Sequence, residues 1–191
     1  MHEVSVNLPS WVVEQVDYTR AFPTPETRMR LAISLAGENV DRGTGGPFGA
    51  AIFERESGRL IAVGVNAVER LNNCTVHAEM VAFQLAQKRV ASYTLRGAGH
   101  PAHELYTSCA PCAMCLGGAL WSGVTRVSYA AHREDAERIG FDEGPVFPES
   151  YAYLEQRGVE IVAGLLRDEA WAVLDRYHRT GGAVYNADSA R

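Results

Sequence analysis

Cysteine is scarce, with 4 in 191 residues. So few thiols cannot staple a small secreted fold. Three of them crowd into "TSCAPCAMCLGG" (Thr107 to Gly118), a spacing more typical of metal binding or redox chemistry than of a disulfide framework. No apolar run reaches the roughly 18 residues that would read as a membrane span. The opening "MHEVSVNLPSW" has neither a basic n-region nor an apolar h-region, so a cytoplasmic, reducing location is expected. A basic excess is also missing: the net charge is −5 and the pI is about 5.7. Dedicated nucleic-acid binders carry surplus Lys and Arg to meet phosphates, so nucleic acid is not an expected partner. Repeats and low-complexity linkers are absent, which leaves one domain over 1–191, with a leader at 1–24 and a C-terminal segment at 181–191.

What is present reads as alternating helices and strands. "PETRMRLAISLAGENVDRG" (25–43) opens with Pro, closes before Gly and carries apolar residues at helical spacing. "GGPFGAAIFERESGRLIAVGVN" (45–66) reads as a hairpin turning at Glu56-Ser57-Gly58-Arg59. A helix is expected over 77–92, a strand over 103–108, and a helix over 111–123 that is apolar nearly all round. A strand over 125–131 and a short polar helix over 133–140 follow, then helix, strand and helix to about residue 180. Strands separated by helices favour parallel neighbours covered on both faces. The expected fold class is therefore α/β: a three-layer α/β/α sandwich on a mixed sheet of about five strands, its first pair antiparallel. Trp121 and Trp171 are expected in the core, and Cys74 is expected to be buried and inert.

Two segments carry chemistry. Cys112 and Cys115 stand i, i+3 at a helix start, so their thiols share a face. Pro111 is expected to pre-set the first turn, where free N–H groups and the helix dipole favour thiolate, the form that binds zinc. His77 offers a nitrogen. Three protein ligands leave a tetrahedral position open, the pattern of catalytic rather than structural zinc. Two thiolates offset the metal's charge, so a nearby base is needed to take a proton from water, and Glu79 is the candidate. That geometry requires His77 at the helix entry, since i and i+2 do not share a helix face. Blander readings stand beside these. Cys109 could complete a closed structural site or simply pack. His77 could be an ordinary helix-start histidine, and Glu79 a carboxylate answering the helix dipole.

H-x-E followed by P-C-x-x-C is the signature of zinc deaminases. With His77-Ala78-Glu79 and Pro111-Cys112-Ala113-Met114-Cys115, the sequence resembles the cytidine-deaminase-like superfamily. Through "GGPF", "WSGV", "IGFDEGP", "GLLRD" and "VYNA" the resemblance extends to bacterial guanine deaminases, including the branch that accepts aminotriazines such as ammeline. The resemblance implies one Zn²⁺ per chain, held by His77, Cys112 and Cys115 and carrying a water or hydroxide. It implies hydrolytic deamination of a free nucleobase, guanine to xanthine in the first instance, with Glu79 moving protons and Glu143 assisting the leaving amine. Ring contacts are implied for Asn66, Phe48, Ala78 and Tyr185. A homodimer is implied too, with Tyr185 and Asn186 closing the partner's pocket if the segment is swapped. Ala110 departs from the family's usual Glu before Pro-Cys, which puts the ring specificity in question. Alternatives at this point are another base or nucleoside (cytosine, guanosine), a tRNA adenosine deaminase-type editing enzyme, and a non-catalytic zinc module.

Overall fold

The computed structural model describes residues 3–97 and 99–188. Residues 1–2 of the leader and 189–191 of the C-terminal segment lie outside the described residues. In chain order the elements are α1 (Ser10–Gln15), α2 (Pro25–Asp41), β1 (Gly49–Glu54), β2 (Leu60–Val65), α3 (Val68–Leu71), α4 (Ala78–Arg89), β3 (His103–Cys109), α5 (Ala113–Ser122), β4 (Arg126–Ala131), α6 (Arg133–Arg138), α7 (Pro148–Gln156), β5 (Glu160–Val162) and α8 (Arg167–Arg179). Local chemistry sets the ends of α2. Thr24 and Thr27 exchange side-chain to backbone bonds in a capping box with Pro25 in the first turn, and Gly43 follows the last turn at φ 62°.

The strands form one mixed sheet in the order β2-β1-β3-β4-β5. β1 runs antiparallel to both neighbours, while β3, β4 and β5 are parallel. The α/β class and the antiparallel first pair agree with the sequence pattern. One pairing differs: β2 and β3, though separated by helices, are not neighbours. β1 lies between them, because the hairpin leaves the far edge of β1 free to accept β3.

Strand alternation divides the core into two layers. Ala51 and Phe53 face α2 and α8, whereas Ala50 and Ile52 face α4, α5 and α7. Gly64 on β2 lets α4 come close, since a Cβ there would stand 2.0 Å from the carbonyl oxygen of Ala78. At the opposite end of the sheet from the start of α4, fully buried Glu104 pairs with both Arg28 and Arg126.

Two burial expectations are corrected. Trp121 is 78% exposed. The apolar stretch of α5 turns Cys115, Leu116 and Ala119 inward and leaves an apolar outer face. Cys74 is exposed on the loop between α3 and α4, where Asn73 accepts from the backbone N–H of Thr75 in a tight turn. Among the described residues no helix is long and apolar enough to cross a membrane.

Candidate active site

α4 and α5 both begin at the end of the sheet where β3 and β4 finish, the usual ligand-binding end of an open α/β sheet. His77 is the N-cap of α4 and Cys112 the N-cap of α5. Pro111 therefore precedes the cap rather than lying inside the first turn. The Nδ1 of His77 is 3.5 Å from the Cys112 sulfur and 3.7 Å from that of Cys115. Bonds of about 2.3 Å to sulfur and 2.0 Å to nitrogen at tetrahedral angles put such atoms roughly 3.6 Å apart. The cluster thus fits zinc without rearrangement, and its three ligand atoms lie within 4.8 Å of one another. Cys109 is buried but points elsewhere, with its thiol 3.7 Å from the carbonyl oxygen of His132. Among the described residues no fourth His, Cys or carboxylate joins the cluster.

The electrostatics favour one thiolate in the cluster. A hydrogen bond from the Cys115 thiol, helped by His77, draws the Cys112 thiol down to about 4. Cys115, donating that bond in a buried setting, is held well above the usual thiol range. Glu79, in the first turn of α4, is 6% exposed, and burial raises its carboxyl. Its Oε1 accepts from the Thr107 hydroxyl at 3.2 Å. Burial, reinforced by Cys112 and Glu79, pushes the Glu143 carboxyl up to about 8.

His77, Cys112, Glu79 and Glu143 open onto one cavity of about 230 Å³, lined also by Phe48, Asn66, Phe141, Asp142, Gly144, Tyr185, Asn186 and Ala187. Ala78 is not among them. Its side chain is fully buried in the core beneath α4, so it offers a ligand no side-chain surface. Asn66 is 1% exposed, and its Oδ1 accepts from Val68 N at 3.2 Å, which leaves its amide NH₂ free to donate. Phe48 packs edge-on against Phe141, ring centroids 5.0 Å apart. Tyr185 also packs edge-on against Phe141, and its buried hydroxyl has no protein partner among the described residues. Gly46 makes room for it, since a Cβ there would stand 2.0 Å from that hydroxyl. Asn186 ties the tail to the loop of Glu143 by accepting from Asp142 N and donating to the carbonyl oxygen of Gly140, each at 2.9 Å. The described part of the C-terminal segment therefore closes this chain's own cavity.

The sequence reading missed Asn39, on α2. Fully buried, it donates to the carbonyl oxygens of Gly46 at 2.8 Å and Asn66 at 2.9 Å. Its Oδ1 accepts from Thr44, whose oxygen accepts from Trp11 Nε1. This satisfied network fixes the two turns that present Phe48 and Asn66. A lone Asn on a helix gives no sequence signal, because its partners arrive only with the tertiary fold.

A His-Cys-Cys ligand cluster at two helix starts, with two buried carboxylates on the same small cavity, is the arrangement of a hydrolytic metalloenzyme. Residues 23–131 match the family described as the cytidine and deoxycytidylate deaminase zinc-binding region, and the chain belongs to that family of zinc deaminases, hydrolases of cyclic amidines. Within it, the chain is 41% identical over 134 residues to guanine deaminase of Bacillus subtilis (strain 168), covering 70% of this chain and 81% of that one. The solved guanine deaminase from Nitrosomonas europaea is 42% identical, with a TM-score of 0.89 over 93% of this chain and 97% of that one. A solved structure in complex with 2,6-diaminopurine is also 42% identical, with a TM-score of 0.89 over 97% of this chain and 98% of that one.

Proposed function

We propose that this protein converts guanine and water to xanthine and ammonia, with aminotriazines such as ammeline as further candidate rings. The observation that carries the reading is the convergence of His77, Cys112, Glu79 and Glu143 on a single cavity, with Cys115 completing the metal cluster. At about 230 Å³ the cavity falls below the roughly 300–1,000 Å³ of sites for drug-sized ligands, which suits a free base. That volume, with the net charge of −5, favours a small molecule over an editing substrate.

In this reading His77, Cys112 and Cys115 would hold one zinc ion per chain, which would supply Lewis acidity at the cavity when bound. Glu79, which lines the cavity, takes a proton from the attacking water and returns it to the ring nitrogen. Glu143 passes a proton to the departing amine, a role that suits a buried carboxyl able to carry one near neutral pH. Asn66 donates its free amide to a ring acceptor, Phe48 supplies an aromatic wall, and Tyr185 covers the ring. The chain acts as one deaminase domain in the cytoplasm and forms a homodimer. The apolar patch where Trp121 of α5 and half-exposed Tyr153 of α7 flank Leu120 supports the dimer. In a swapped dimer the partner's tail would make the contacts that Tyr185 and Asn186 make here. Light scattering tests the dimer, and a monomer at micromolar concentration would sink it.

Ammonia release by zinc-loaded protein offered guanine, ammeline, cytosine and adenine separately tests the activity. Turnover of guanine that disappears in Glu79→Gln is expected. Silence on guanine with turnover of another ring would keep the chemistry and overturn the substrate.

A further inference from the structure

We infer that Thr107 is a positioning residue for Glu79, anchoring one carboxylate oxygen so that the side chain keeps one orientation toward the cavity. The inference rests on reading Glu79 as the proton carrier, and it does not depend on which ring is the substrate.

Thr107 lies on β3, between Ala50 of β1 and Tyr129 of β4, in the middle of the sheet. Alternation along the strand puts Leu105 and Thr107 toward α4 and α5, and Leu105 packs there with Ala78 and Ala82. Only 1% of Thr107 is exposed, so water cannot satisfy its hydroxyl. The hydroxyl donates instead to Oε1 of Glu79 at 3.2 Å. A β-branched side chain on a backbone paired on both sides has little freedom to move that donor.

The consequence is a fixed orientation of the carboxylate, with Oε1 tied to the sheet. With Oε1 anchored on Thr107, the carboxylate is held in one orientation at the cavity it lines, and Oε2 is the oxygen placed to exchange the proton. The Thr107 bond persists in both states, because Oε1 keeps a lone pair whether or not Oε2 is protonated. Packing alone gives no reason for a hydroxyl here, since valine has nearly the same shape and carries no polar atom to satisfy.

The test compares Thr107→Val and Thr107→Ser in the full-length, zinc-loaded protein. A hydrogen bond to a charged group is worth roughly ten- to a hundredfold in rate when it acts on the reacting group. Thr107→Val should lose that much kcat, with KM, zinc content and thermal midpoint close to wild type. Thr107→Ser, which keeps the donor, should recover most of it. Unchanged kcat in the valine variant would overturn the inference, as would a serine variant as damaged as the valine one. If guanine is inert, the guanine reading fails by itself and the comparison moves to whichever base releases ammonia. If none does, the ¹³C carboxyl resonance of Glu79, assigned by its loss in Glu79→Gln, decides. It should shift in Thr107→Val, and an unchanged resonance would overturn the inference.

Discussion

Gly64→Ala should disable the site with a single methyl group placed in the core. Gly64 has no positive φ, so backbone conformation does not exclude alanine. Space does. The added Cβ would lie 2.0 Å from the carbonyl oxygen of Ala78 and 2.7 Å from Ala82 N, both backbone atoms of α4. Backbone cannot swing aside as a side chain can, so the start of the helix must retreat by more than an ångström. Overpacking of this kind costs about 1–3 kcal/mol, and the fold, with about 5–15 kcal/mol in hand, should survive. Metal geometry has no such margin, because ligand distances must hold to about 0.2 Å. His77 and Glu79 ride on α4, whereas Cys112 and Cys115 belong to α5. We expect a cooperative thermal transition, zinc affinity down by about 10–100-fold, as for other disturbances of ligand orientation, and turnover down by at least about a hundredfold. Chelator competition and steady-state rates at saturating zinc measure both. A variant that folds, holds zinc as tightly as wild type and turns over at the wild-type rate would refute the argument that this contact sets the register of the two helices.

Two further predictions concern the scaffold. Glu104→Gln leaves the buried Arg28 guanidinium without its carboxylate and should cost about 3–5 kcal/mol in urea unfolding. Activity per folded molecule should be little changed, since the pair lies at the far end of the sheet from the site. Asp135 accepts two hydrogen bonds from Arg167 at 2.8 Å, and that guanidinium holds its carboxyl below the usual value of 3.8. A lowered folded pKa gives stability that is present above the unfolded value and lost as pH falls through the folded one. The stability gap between wild type and Asp135→Asn should therefore narrow below pH 4, and a gap independent of pH would contradict the assignment.

Most of the fold was legible because its signals are local. Pro25 and Gly43 mark the ends of α2, the Ser57-Gly58 turn marks the hairpin, and the order of helices and strands follows the hydrophobic period. The position of β1 between β2 and β3 was not legible, since strand pairing across the chain leaves no mark in either strand alone. Nor could the apolar stretch of α5 reveal that Trp121 faces outward, because a uniform composition has no period to say which side is covered. At the site, the sequence located His77, Glu79, Cys112, Cys115, Asn66, Phe48, Glu143 and Tyr185, and all of them line the cavity or, as with Cys115, join the metal cluster. Ala78, at the first position of α4, turns its side chain onto the sheet and presents none to the cavity. Thr107 and Asn39 escaped notice because their partners, Glu79 and Asn66, belong to other elements.

The place of β1 also sets an order of assembly. Its pairing with β2 closes a turn between Glu54 and Leu60, and a hairpin of that length forms in about 1–10 μs. Its pairing with β3 brings Glu54 to His103 across a long intervening chain, a slower step for a collapsing polypeptide. His77 follows the first pairing and Cys112 the second, so the two halves of the metal cluster belong to different stages. A refolding chain that has made only the hairpin holds one ligand of the three. Zinc added at the start of refolding should leave the earliest phase at its metal-free rate and act only after β3 has docked.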